Sequence, residues 1–80
     1  MTTETSLSPL RIALFGATGG TGRQVLAQAL EQGHGVRVLV RDPTKLSEQL
    51  GLTRIVGDVL DPEATRRCVE GTDAVIGVLG

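Results

Sequence analysis

Gly16-Ala17-Thr18-Gly19-Gly20-Thr21-Gly22 lies between two segments of different period, and that placement decides the fold. Before it, Leu10 to Phe15 (LRIALF) is a short, mostly apolar run of the kind that forms a strand buried on both faces of a parallel sheet. After it, Val25, Leu26, Ala29 and Leu30 recur at helical spacing, so a helix is expected from Gly20 to about Gln32. Arg23, Gln24, Gln28 and Glu31 take its other faces, and Gly33 stands where such a helix needs a left-handed residue to stop it.

Within the loop, glycines recur every third residue. Gly16 permits a sharp exit from the strand, Gly19 leaves room for a pyrophosphate to approach the backbone, and Gly22 lets the helix pack closely on the sheet. The helix N-terminus, opening at Gly20, offers unpaired N–H groups and the positive end of its dipole to an anion. Thr18 and Thr21 add hydroxyl donors. The spacing is G-x-x-G-x-x-G, not G-x-G-x-x-G, and a turn serving only tight strand-to-helix packing is the competing reading. The strand before it and the helix after it favour a dinucleotide phosphate loop. A Walker-type loop requires Gly-Lys-Ser/Thr, whereas residues 20–23 are Gly-Thr-Gly-Arg, which excludes it.

Further out the alternation repeats. Val36 to Val40 (VRVLV) reads as a second strand. Asp42-Pro43 then caps a short helix with Leu46 and Leu50 at i, i+4, stopped by Gly51. A third strand is expected over about Arg54 to Val59, and Asp61-Pro62 opens a third helix with Ala64, Cys68 and Val69 inward and Gly71 at its end. Ala74 to Leu79 (AVIGVL) is a fourth strand. The order βαβαβαβ implies an α/β fold of Rossmann type, a parallel sheet with flanking helices. Right-handed crossovers give strand order 3-2-1-4. Residues 1–9 read as a polar, flexible tail and residues 10–80 as the N-terminal part of a dinucleotide-binding domain.

In this architecture the residue closing the second strand faces the adenosine ribose, where an acid suits the 2′-hydroxyl of NAD and an arginine the 2′-phosphate of NADP. Arg41 takes that position, with Lys45 one turn further on, so NADP is favoured over NAD. Asp42 could instead bind the ribose, but its place before Pro43 explains it better as a helix cap. Asp58, with Val59 beside it, could accept from the adenine amine and rest against the ring; the plainer alternative is a turn acid. Leu79 closes the fourth strand where the middle of the cofactor would pass.

Composition narrows the partners. The chain has 80 residues, net charge −1, one Phe and no Tyr or Trp, which argues against nucleic-acid binding. A single Cys excludes an internal disulfide and a Cys-based zinc site. No signal peptide or 18-residue apolar stretch is present in the sequence, so a cytoplasmic, non-membrane protein is expected.

The glycine loop, together with Val-Leu-Val-Arg-Asp-Pro (38–43), Val-Gly-Asp-Val (56–59) and Asp-Ala-Val-Ile (73–76), resembles the atypical short-chain dehydrogenase/reductase superfamily. Within it the chain is most similar to the NAD(P)H-binding group of NmrA-like and flavin reductase/biliverdin reductase type. That resemblance implies NADPH held by Gly16, Thr18, Gly19, Gly20, Thr21, Arg41 and Asp58, and hydride transfer to a flavin, a bilin or a similar acceptor. It also implies about three further strands and a substrate region, so the chain reads as truncated. The Tyr-x-x-x-Lys acid site found in many members is absent from these 80 residues, though some flavin-reductase-like members manage without that tyrosine. The alternative is a non-catalytic nucleotide sensor or a remnant without activity of its own.

Three features are set aside. His34 falls in a turn at the sheet end opposite the cofactor, and Cys68 reads as a small buried hydrophobe. Asp61, Glu63, Arg66, Arg67 and Glu70 form a solvated helix face. The strand over 74–79 would be a sheet edge with no charge or proline to guard it, so self-association or pairing with further strands is expected.

Overall fold

The computed structural model describes residues 9–78. Four strands, β1 (Arg11–Phe15), β2 (Gly35–Val40), β3 (Leu52–Val56) and β4 (Ala74–Gly77), form one parallel sheet in the order β3-β2-β1-β4. Helix α1 (Gly20–Glu31) joins β1 to β2, a single 3-10 turn (Pro43–Lys45) lies between β2 and β3, and α2 (Pro62–Val69) joins β3 to β4. This is the Rossmann-type order expected from the pattern of elements.

Strand side chains alternate between two faces, and each face has its own core. Ile12, Leu14, Val36, Val38 and Val40 meet Leu26 and Ala29 of α1, together with Leu46. Ala13 and Leu39 meet Ala64 and Cys68 of α2 on the other side. Ile12, Ala13 and Leu14 are consequently all buried, which is why β1 reads as a continuous apolar run. Arg37 belongs to the α2 face without being apolar. Its Nη1 donates to the carbonyls of Arg67 (2.9 Å) and Glu70 (2.7 Å), so a cation closes the C-terminus of α2 at the negative end of its dipole. Gly33 ends α1 at φ +89°, and Asp61 caps α2 by accepting from the Glu63 amide at 3.0 Å.

The connection after β2 departs from expectation. No helix carries Leu46 and Leu50 on a common face: Leu46 is extended and buried, whereas Leu50 is 99% exposed. A helix this short with one useful apolar anchor is marginal on its own. A competing partner then takes its carbonyls. Arg54 Nη1, from β3, donates to the Pro43 and Leu46 oxygens, each at 2.8 Å. In an α-helix those two carbonyls would accept from the amides of Ser47 and Leu50.

Strand β3 is also displaced. It starts at Leu52 because Leu52 pairs with Val36, and it ends where Val56 pairs with Val40. Asp58 therefore lies in the loop beyond β3 and not within the strand. Strand β4 is assigned to Gly77, and Leu79 lies outside the described residues, as do residues 1–8.

Candidate functional site

At the end of β1 the chain turns at Gly16 with φ +88°, and a Cβ there would overlap the carbonyl oxygen of Val78. A Cβ on Gly22, in the first turn of α1, would overlap the Gly16 carbonyl oxygen and stand 2.8 Å from its carbon. The chain's own packing therefore requires both glycines. Gly19 and Gly20 are different. A Cβ on Gly19 would meet only the Gly16 oxygen, at 3.9 Å, and one on Gly20 would meet nothing within 4 Å. Packing does not explain glycine at those two positions, and the space beside them is open.

That space adjoins a bare helix terminus. Gly19 is the N-cap and has no side chain to cap with, and the first turn of α1 holds no acid. The first amide to donate into the helix is that of Arg23, to the Gly19 oxygen at 2.9 Å. The N–H groups of Gly20, Thr21 and Gly22 precede it, so they are left with the positive end of the dipole for an anion.

Beside the loop, an open cleft of about 660 Å³ runs across the C-terminal ends of β1, β2 and β3. Gly16, Ala17 and Thr18 wall it below β1; Leu39, Val40, Arg41, Asp42 and Lys45 wall it below β2; Gly57, Asp58, Val59 and Leu60 wall it below β3. Of the residues singled out from sequence, Gly16, Thr18, Arg41, Lys45, Asp58 and Val59 thus meet on one surface. Gly19, Gly20, Thr21 and Gly22 form the entry to α1 next to it.

Arg41 is 82% exposed, with Nη1 4.0 Å from the Asp58 carboxylate across the mouth of the cleft. Such a solvated pair is weak and exchangeable. The other Asp58 oxygen accepts from the Leu60 amide at 2.9 Å, so Asp58 shapes its own turn while facing the cleft. Asp42 Oδ1 accepts from the Thr44 hydroxyl (2.6 Å) and amide (3.0 Å). The hydroxyl bond first, then the amide and the charge of Lys45, hold its carboxyl below the usual range. Asp42 is therefore engaged as a cap, in keeping with its place before Pro43.

Arg23, which the helical pattern puts away from the apolar stripe of α1, is not among the site residues expected from sequence. It lines the cleft, and its Nη2 donates to the Lys45 carbonyl at 3.2 Å. The sequence did carry a signal: a cation among the first four residues of a helix opposes the dipole and invites another explanation.

The residues set aside behave accordingly. His34 Nδ1 accepts from the Leu10 amide at 3.0 Å, at the opposite end of the sheet. Cys68 is fully buried, and that burial pushes its thiol up, with Arg37 opposing. Arg66 pairs with Glu63 and Glu70 on the exposed face of α2. Among the described residues no cluster of His, Cys, Asp or Glu could hold a metal ion, and no helix is long and apolar enough to cross a membrane.

Comparison with known proteins gives consistent findings. Residues 16–80 match a family described as NAD(P)H-binding. The photosystem II assembly factor Ycf39 of Synechocystis sp. is 39% identical over 69 residues, covering 84% of this chain and 21% of that protein. The isoflavone reductase homolog IRL of Zea mays is 36% identical over 80 residues, covering 88% and 26%. A short-chain dehydrogenase/reductase superfamily protein of Agrobacterium tumefaciens, solved with bound NAD, aligns with a TM-score of 0.71 and 28% identity, over 88% of this chain and 20% of that one. The chain thus spans about a fifth to a quarter of the length of these relatives.

Proposed function

The chain belongs to the NAD(P)H-binding family, and from that premise we propose that it is the NADP-holding part of an oxidoreductase that passes hydride to a flavin, a bilin or a similar acceptor. The observation that carries the choice of NADP is Arg41 at the end of β2, with Lys45 beside it, both exposed on the cleft wall. A guanidinium suits bidentate pairing with a 2′-phosphate, and the lysine adds a point charge. A reductase is supported by the maize relative's name and by the resemblance to flavin and biliverdin reductases.

The residues fit a dinucleotide. The open space at Gly19 and Gly20, the acid-free first turn of α1 and the Thr18 hydroxyl suit a pyrophosphate. On this reading Asp58 accepts from the adenine amine and Val59 rests against the ring, which their shared place on the cleft wall supports. When bound, the nicotinamide supplies the hydride chemistry; this chain's residues hold and orient the carrier. The β4 edge, with Val75 57% exposed, we read as a pairing edge for a further strand of the same or another chain.

The test is the affinity of NADP⁺ and NAD⁺ for the full chain and for Arg41→Ala, measured by titration calorimetry. Tighter NADP⁺ binding by about tenfold is expected from a charge-assisted bond, and the substitution should remove most of it while sparing NAD⁺. Equal wild-type affinities would sink the assignment. NADPH oxidation that stays at background with flavins, bilins and quinones, in a protein carrying the remaining strands, would count against the reductase.

A further inference from the structure

Lys45 is held by an unusual support. It sits on a 3-10 turn in which the Pro43 oxygen accepts from the Leu46 amide at 3.3 Å, whereas among the described residues the Lys45 and Leu46 oxygens accept from no backbone amide. Two arginines from different elements donate to these carbonyls, supplying, among the described residues, the only donors to the Lys45 and Leu46 oxygens and a second one to that of Pro43. Arg54, 24% exposed, reaches from β3 under the turn: Nη1 donates to the Pro43 and Leu46 oxygens at 2.8 Å each, and Nη2 meets the Glu48 carboxylate at 3.1 Å. From α1, Arg23 Nη2 donates to the Lys45 oxygen at 3.2 Å. Asp42 ties the front of the turn through Thr44.

We propose that Arg54 is a positioning residue for 2′-phosphate recognition, fixing the turn that carries Lys45 at the cleft. The inference rests on the reading that Arg41 and Lys45 receive that phosphate. Arg54 is not among the cleft-lining residues, so it acts through the backbone of residues 43–46 and not on the ligand. A flexible lysine stem gains little from an attractive charge unless its root is already ordered, and Arg54 orders the root in the folded chain. A lysine at position 54 would keep the charge but lose the planar fork that serves two carbonyls and a carboxylate together.

The experiment measures the affinity of 2′,5′-ADP relative to 5′-ADP for the full chain, for Arg54→Met and Arg54→Lys, and for the same changes in a Lys45→Met background. An exposed ion pair of this kind contributes a discrimination of at most about fivefold and Arg41 holds the larger share of the preference, so Arg54→Met should lower the ratio by about twofold, with Arg54→Lys between it and wild type. Affinity for 5′-ADP should stay unchanged. In the Lys45→Met background neither change should lower the ratio further, because Arg54 acts through Lys45. Should Arg54→Met not fold, Arg54→Lys carries the test alone. A wild-type ratio near one overturns the phosphate reading and this inference with it. A wild-type ratio well above one that Arg54→Lys leaves intact overturns this inference alone, as does an equal loss with and without Lys45.

Discussion

Gly22→Ala and Gly20→Ala stand two residues apart in the first turn of α1, and they should move stability in opposite directions. Helix propensity alone favours alanine over glycine by up to about 1 kcal/mol at each. At Gly20 nothing lies within 4 Å of the added Cβ, so that gain is kept in whole or part. At Gly22 the methyl would overlap the Gly16 carbonyl oxygen and sit 2.8 Å from its carbon. Ordinary carbon contacts are about 3.5–4.0 Å, so α1 must retreat by about 1 Å. Both sides of that contact are backbone, which places the cost near the upper end of the roughly 1–3 kcal/mol seen for overpacking. Gly22→Ala should therefore lose about 2 kcal/mol net, a fall in Tm on the order of 10 °C for a chain this small. Urea unfolding followed by circular dichroism at 222 nm reads both variants, with an unchanged m-value guarding against a change in the denatured state. The reasoning is refuted if Gly22→Ala is as stable as Gly20→Ala.

Two further outcomes are open to measurement. Cys68 is fully exposed only when the α2-side core opens, and burial raises its thiol pKa against the weaker pull of Arg37, so Ellman's reagent at pH 8 should label it no faster than the chain unfolds. Labelling at the rate of a free thiol in the native state would contradict the placement. Asp42 is held below its usual pKa of 3.8, so its cap is fully present above the unfolded value and is lost as pH falls through the lower, folded value. The Thr44 amide resonance should report a midpoint below that of a free aspartate, and a midpoint at or above about 3.9 would show that the cap is not formed.

The parts of this fold legible in sequence are those where local chemistry and tertiary packing agree. Residues 12–15 alternate between two core faces, α1 presents Leu26 and Ala29 to one of them, and Gly33 and Asp61 mark helix ends by conformation and capping. The missed element is the one settled at a distance. Leu46 and Leu50 have helical spacing, but Arg54 competes for the carbonyls from another strand, and no local pattern reveals that. The site divides the same way. Arg41, Lys45 and Asp58 follow from strand ends, which topology brings to one edge. Arg23 was missed because it carries its charge away from the apolar stripe, which reads as solvation until the β2–β3 turn is seen folding against it.

On the proposed function the loop and the strand ends would divide the labour of recognition. Gly16 and Gly22 serve the protein's own packing, leaving Gly19 and Gly20 as the glycines that a ligand can explain. Their amides would attract any pyrophosphate and discriminate nothing. On the proposed function choice would fall to Arg41, which already faces Asp58 at 4.0 Å. On the proposed reading a 2′-phosphate draws the guanidinium away from that carboxylate, whereas a 2′-hydroxyl leaves the pair standing. Selectivity is then a difference between two pairings of one arginine, each screened by solvent, and not the whole attraction of a phosphate for a cation. On that reading a second cation on an ordered turn has value: among the described residues Lys45 forms no ion pair within 4.0 Å, so its charge would add to that of Arg41 provided its turn is held in place.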